Sequence, residues 1–147
     1  MTVFRTITPH FAVAPQLSPQ DMAAVAAAGF RLVINNRPDG EAPGQPSTGE
    51  MSTAAEAAGL QFQTLPFQGL PSPATAAATA GLLEEAEGPV LAYCRTGTRS
   101  IMAWAMAQAL SGAAQPGELI AMAADVGYDL NAVRGALEAL APNAGRP

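Results

Sequence analysis

The sequence predicts an α/β domain with a mostly parallel central sheet of about four or five strands, helices on both faces and a helical C-terminus. Three observations predict it. Short apolar, β-branched runs alternate with Ala-rich segments of helical period. Ser-Pro pairs or single glycines punctuate the junctions, and beyond Arg99 only helical periodicity remains.

Val3 to Ile7 and Phe11 to Ala14 read as two short strands split by Pro9. Ser18-Pro19-Gln20-Asp21 then opens a helix, with Ser18 as cap, Pro19 in the first turn and Asp21 at the positive end. Met22, Val25 and Ala26 form its apolar stripe and Gly29 ends it. Arg31-Leu32-Val33-Ile34-Asn35 is a buried strand. A loop from Asn36 to Thr48 holds three prolines and a Pro38-Asp39-Gly40 turn. Glu50 to Ala58 is a helix, Leu60 to Phe67 a strand, and Ser72-Pro73 starts a helix running to about Glu87. Pro89 to Tyr93 is the last strand. Three helices follow: one over Ser100 to Leu110, one opened by Pro116, and one capped by Asp129 or Asn131. The predicted unit is a single domain over residues 1–142, with a frayed tail over 143–147.

Composition narrows the function. A chain of 147 residues that is 49% hydrophobic and 13% charged is globular, not disordered. The net charge of −5 and isoelectric point near 4.6 exclude a nucleic-acid binder, which needs a basic footprint. That surface calls for neither a dimer nor a monomer. All seven basic residues are arginines, so no lysine is present to form a Schiff base. One cysteine and one histidine leave no internal disulfide, no thiol-rich metal cage and no Ser-His-Asp triad, so neither a metal nor a cofactor is expected. No signal-peptide core or membrane-length apolar run stands in the sequence, and a cytoplasmic protein with no membrane partner is the expectation.

The chemistry concentrates at Cys94-Arg95-Thr96-Gly97-Thr98-Arg99-Ser100, between a strand end and a helix start. An ordinary thiol is only about 3% ionised at neutral pH. Backbone N–H groups at a helix N-terminus, the positive dipole end and the guanidiniums of Arg95 and Arg99 all favour the anion. A drop of roughly three units, about 4 kcal/mol, makes the thiolate dominant. Gly97 permits a tight turn that aims successive N–H groups inward, with Thr96 and Thr98 beside it. Arg99 has the planar fork to hold a tetrahedral oxyanion in two places, and Ser100 is placed to donate to the sulfur and favour its departure. A buried structural cysteine needs none of these neighbours.

With those residues in place the sequence resembles the cysteine-dependent phosphatases of the dual-specificity type. Upstream, Val13-Ala14-Pro15-Gln16-Leu17-Ser18-Pro19-Gln20-Asp21 and Gly29-Phe30-Arg31-Leu32-Val33-Ile34-Asn35-Asn36-Arg37-Pro38-Asp39-Gly40-Glu41 resemble the phosphatase-like domain of the bacterial beta-lactamase-hydrolase-like proteins. The resemblance runs from about Phe4 to Leu110 and implies a cysteine-phosphatase-like fold with a phosphorylated substrate. The sequence departs from the pattern in three ways. Only four residues separate Cys94 from Arg99, one fewer than in the phosphatases and similar to the rhodanese sulfurtransferase loop. No Asp lies between Gln61 and Gly88, where the phosphatase general acid stands. Tyr93 replaces the histidine that often precedes the nucleophile.

Other candidates surround the loop. Asp39 is placed to protonate a leaving oxygen in place of the missing acid, and Arg37 to recruit an anion; each also reads as part of an ordinary turn. Glu41 is a weaker candidate. Gln68 is placed to orient a water or substrate. Trp104 and the methionines Met51, Met106 and Met122 read as core, and His10 as a surface or packing residue. Three functions follow: a phosphatase-like hydrolase with a phosphocysteine intermediate, a sulfurtransferase or persulfide carrier taking an anionic sulfur donor, and a non-catalytic phosphate-binding fold.

Overall fold

The computed structural model describes residues 4–142, and five strands there form one sheet in the order β1-β2-β5-β3-β4. These are β1 (Arg5–Thr8), β2 (Phe11–Ala14), β3 (Leu32–Asn35), β4 (Gln61–Thr64) and β5 (Val90–Tyr93). β1 pairs antiparallel with β2 through the turn at Pro9, and every other pairing is parallel. The helices are α1 (Met22–Ala27), α2 (Thr48–Ala57), α3 (Pro73–Glu85), α4 (Thr98–Ser111), α5 (Pro116–Asp125) and α6 (Arg134–Leu140). The predicted α/β class and mostly parallel sheet are therefore present. The tail expected to fray over 143–147 and the first strand residue, Val3, lie outside the described residues.

Strand alternation divides the core in two. Phe11, Val13, Leu32, Ile34, Val90 and Ala92 face one way and pack with α3 to α6. Ala12, Ala14, Val33, Leu91 and Tyr93 face the other way and pack with α1 and α2. β2 and β5 consist wholly of buried residues, as expected for strands covered on both faces. Trp104 fills the first cluster, its ring stacked on Phe11 at 5.5 Å between centroids. His10 is exposed in the β1–β2 turn.

The boundaries that moved have local causes. α2 begins at Thr48 rather than Glu50, because Ser47 and Glu50 close a capping box one turn earlier: Ser47 Oγ accepts from Glu50 N–H and Glu50 Oε1 from Ser47 N–H. β4 stops at Thr64 instead of reaching Phe67, since Pro66 cannot donate to a ladder. α4 starts at Thr98, before the expected Ser100. The last helix is preceded by a 3-10 turn, Asn131–Val133, which Asp129 opens by accepting from the Asn131 N–H at 2.9 Å.

Candidate active site

The sheet order creates a crevice at the carboxyl end of β5. This strand lies between β2 and β3. β2 and β3 send the chain to the face covered by α1 and α2, while β5 sends it to the opposite face through α4. Loops leaving neighbouring strands in opposite directions part above the sheet, and ligands of open α/β sheets bind in that gap. Asn36 ties the rim together: its N–H donates to Tyr93 O at 2.9 Å and its side chain donates to Leu65 O at 3.0 Å.

Cys94 is fully buried. The Gly97 N–H donates to its sulfur at 3.1 Å. Gly97 has φ of +93°, a left-handed turn that costs an L side chain roughly 1–2 kcal/mol. A Cβ there would also collide with the Tyr128 hydroxyl. Two carbonyls of the loop are held outward: Arg95 O accepts from Gln16 N–H at 3.2 Å, and Thr96 O from the Tyr128 hydroxyl at 2.9 Å. In a trans peptide the N–H points opposite to the C=O, so the N–H groups of Thr96 and Gly97 are turned inward. The loop then passes directly into α4 at its positive dipole end, where the Thr98 N–H donates to Thr96 Oγ1 at 3.4 Å.

Arg99 leaves the first turn of α4 and meets Glu41 from the β3–α2 loop. Its Nη2 donates to Glu41 Oε1 at 2.8 Å and its Nη1 to Oε2 at 2.9 Å, a fork-to-fork pair, and Nη1 also reaches Phe67 O at 3.0 Å. Arg37 Nε donates to Glu41 Oε1 at 2.9 Å, and Gln68 Nε2 donates to Oε2 at 3.0 Å. A carboxylate has about four acceptor positions, so Glu41 is saturated. The Arg99 fork, helped by Gln68 and Arg37 and opposed by burial, holds the Glu41 carboxyl down at about 2 from its usual 4.5. Glu41 is thus a fixed anion and not a proton donor at neutral pH. Arg99 in turn is held more firmly protonated, by Glu41 first, against burial, and also by the nearby Cys94.

The pair has a pH signature. In the unfolded chain Glu41 takes up its proton near 4.5, whereas in the fold it stays ionised down to about 2. Its contribution is therefore complete above the unfolded value and is lost as the pH falls through about 2. We expect Glu41→Gln to lower unfolding free energy in urea by about 1–2 kcal/mol at neutral pH, solvent screening reducing the full linkage value, with the gap to wild type closing toward pH 2. A gap independent of pH would show that the ion pair is not its source.

The sequence-predicted residues divide into those that the fold brings together and those that it does not. Cys94, Thr96, Gly97, Thr98, Arg99 and Ser100 form one turn, with Thr96 and Thr98 hydroxyls 3.0 Å apart. Ser100 Oγ is buried without a hydrogen-bond partner among the described residues, an unspent donor in the first turn of α4. Arg95 is exposed at the rim. Gln68 joins the Glu41 network. Arg37 also joins it, with a side chain only 6% exposed that bonds Glu41 and Gln16 Oε1, so it is a buried counter-charge in this structure. Asp39 points elsewhere: its Oδ1 accepts from the Thr48 N–H and hydroxyl, both at 2.8 Å, capping α2. Among the described residues it shares no hydrogen bond or ion pair with the Cys94 loop. Tyr93 is buried, and burial, followed by the charge of Asp39 and opposed by Arg37 and Gln16, pushes its phenol far above the ordinary range.

Sequence reasoning passed over Gln16, Asn36 and Tyr128 and undervalued Glu41. The Asn35-Asn36 pair directly after a β-branched run was the available signal, since such side chains knit loops to strand ends.

Comparison with known proteins decides the family. The model of the beta-lactamase hydrolase-like protein, phosphatase-like domain, matches residues 3–111. The chain belongs to this family. Curated beta-lactamase hydrolase-like proteins of Agrobacterium fabrum and Xylella fastidiosa are 36% and 33% identical to it, over 90% and 84% of the chain. The chain spans only 31% and 29% of their lengths. The crystal structure of a candidate phosphatase from Neisseria meningitidis is similar with a TM-score of 0.79 at 33% identity, covering 90% of this chain and 94% of that one. The phosphatase Tk-PTP shares the fold, with a TM-score of 0.70 at 19% identity over 91% of this chain and 92% of its own. So does PTPMT1, with a TM-score of 0.73 at 18% identity over 92% and 91%. The domain is thus phosphatase-like in family and in fold. Among the described residues no helix is long and apolar enough to cross a membrane.

Proposed function

We propose that this domain is a cysteine-dependent phosphatase-like hydrolase. Cys94 Sγ attacks phosphorus in line, the P–O bond to the leaving group breaks, and a phosphocysteine forms. The inward N–H groups of the loop and the edge of Arg99 not engaged with Glu41 hold the equatorial oxygens as charge builds on them. Water then cleaves the P–S bond, and Ser100 Oγ donates to the departing sulfur. The observation that carries this reading is the Gly97 N–H on Cys94 Sγ at 3.1 Å, at the mouth of a turn opening directly into α4 with Arg99. Because Cys94 is buried, productive binding includes a small movement of the residues that cover it.

The reading carries a substrate preference. Asp39 is bonded at the start of α2 and Glu41 is saturated, so neither carboxylate of the β3–α2 loop is placed to protonate a leaving oxygen. A positioned general acid contributes about 10²–10⁴-fold. Aryl phosphates, whose oxygens leave without a proton, are therefore expected to turn over at least about 10²-fold faster than alkyl phosphates in kcat/KM. Parallel steady-state assays of the two substrate types check this, and equal rates would contradict it.

A second reading is favoured by the short loop, which leaves only four residues between Cys94 and Arg99. In this reading Cys94 Sγ attacks the outer sulfur of thiosulfate. The S–S bond breaks, sulfite leaves with the electron pair, and a Cys94 persulfide remains. No acid is needed, which accords with the engaged Asp39. With one cysteine in the sequence, the sulfur must pass to an external thiol. A gain of one sulfur mass on Cys94 after thiosulfate supports this reading over the first. Phosphate binding without either adduct supports a non-catalytic anion binder.

A further inference from the structure

We infer that Tyr128, beyond the stretch matched to the family, is a positioning residue whose hydroxyl fixes the Thr96–Gly97 peptide with its N–H facing Cys94 Sγ. The inference rests on the reading of Cys94 as the nucleophile. A single peptide unit is held at both ends: Thr96 O accepts from the Tyr128 hydroxyl at 2.9 Å, and Gly97 N–H donates to the sulfur at 3.1 Å. Glycine is the residue least able to hold such an orientation by itself, because it populates both signs of φ freely. A flipped peptide would turn carbonyl lone pairs toward the sulfur in place of a donor and oppose its ionised form. The hydroxyl also stands where any Cβ on residue 97 would sit, so the glycine and the tyrosine require one another.

Tyr128 is itself braced. Its N–H donates to Ala123 O at 2.9 Å at the end of α5. The Arg5 guanidinium lies 5.4 Å from the centre of its ring, and Arg5 Nη1 donates to Val126 O at 2.6 Å. β1 and the α5 terminus are thereby linked to a loop far away in sequence. Burial first raises the phenol above its ordinary value, against Arg5 and together with Cys94, so it remains a neutral donor at working pH. The charged and titratable groups around the Cys94 loop include Arg99 from α4 with its partner Glu41, Tyr93 and Arg95 on either side of the thiol, and Tyr128 with Arg5 behind its ring.

The test is alkylation of Cys94, the only thiol in the sequence, by iodoacetamide across the pH range, alongside aryl phosphate kinetics. Tyr128→Phe removes one hydroxyl. It is expected to slow alkylation about tenfold at pH ~6 and to leave the rate at pH ~10, where thiols in general are ionised, unchanged. It should lower kcat by a similar factor with KM within about twofold. Arg5→Gln, at an exposed residue, should shift both readouts in the same direction by less, and it decides the matter if Tyr128→Phe does not fold. A folded Tyr128→Phe that alkylates like wild type at low pH overturns the inference. Wild-type Cys94 reacting at pH ~6 no faster than free cysteine overturns the nucleophile reading itself, and the inference with it.

Discussion

Cys94→Ser is expected to lower aryl phosphate turnover by on the order of 10⁴-fold or more, while phosphate binding stays within a few-fold of wild type. The reason is the state of the attacking atom. A serine hydroxyl stays protonated at neutral pH, and the loop holds no base to take its proton: Glu41 is saturated and Asp39 is bonded to Thr48. The cradle itself is made of backbone N–H groups and Arg99, none of which the substitution removes. The retained binding separates loss of chemistry from loss of the site. It is read by steady-state kinetics together with calorimetric titration of inorganic phosphate into the variant.

Arg99→Lys is expected to lower kcat/KM by about 10²–10³-fold at unchanged net charge. The guanidinium has five N–H donors; two go to Glu41 and one to Phe67 O, and the remaining edge would face the equatorial oxygens of an anion. An ammonium offers a compact point charge in place of that plane. A second consequence distinguishes this variant from Cys94→Ser. Lysine leaves the Glu41 carboxylate with fewer donors, so Arg99→Lys should also reduce stability at neutral pH, whereas Cys94→Ser should not. Turnover within a few-fold of wild type would mean that Arg99 serves only to anchor Glu41.

Much of the site was legible because it is local. A thiol, a glycine with the turn it permits, an arginine and a serine fall within seven consecutive residues between a strand and a helix, so the sequence order is nearly the spatial order. The partners that set the loop are not local. Glu41 is 58 residues from Arg99 and Tyr128 is 32 residues from Thr96, and periodicity says nothing about which distant side chain completes a network. Asp39 illustrates the opposite error of emphasis. It stands near the site in sequence order, but the N–H and hydroxyl of Thr48, nine residues on at the first position of α2, claim its carboxylate. The fold was legible where the chain is punctuated: Gly29 and Gly59 take positive φ just after α1 and α2, as the stop signals require. Strand ends were less so, because each strand is only four residues long and a proline or a cap shifts its end by one or two.

The covalent step can be observed directly. Wild-type protein mixed rapidly with an aryl phosphate and quenched in acid should carry the mass of one phosphoryl group, located on Cys94 by peptide mapping and absent from Cys94→Ser. An unmodified Cys94 throughout turnover, or a phosphoryl group found on any other residue, would contradict the mechanism.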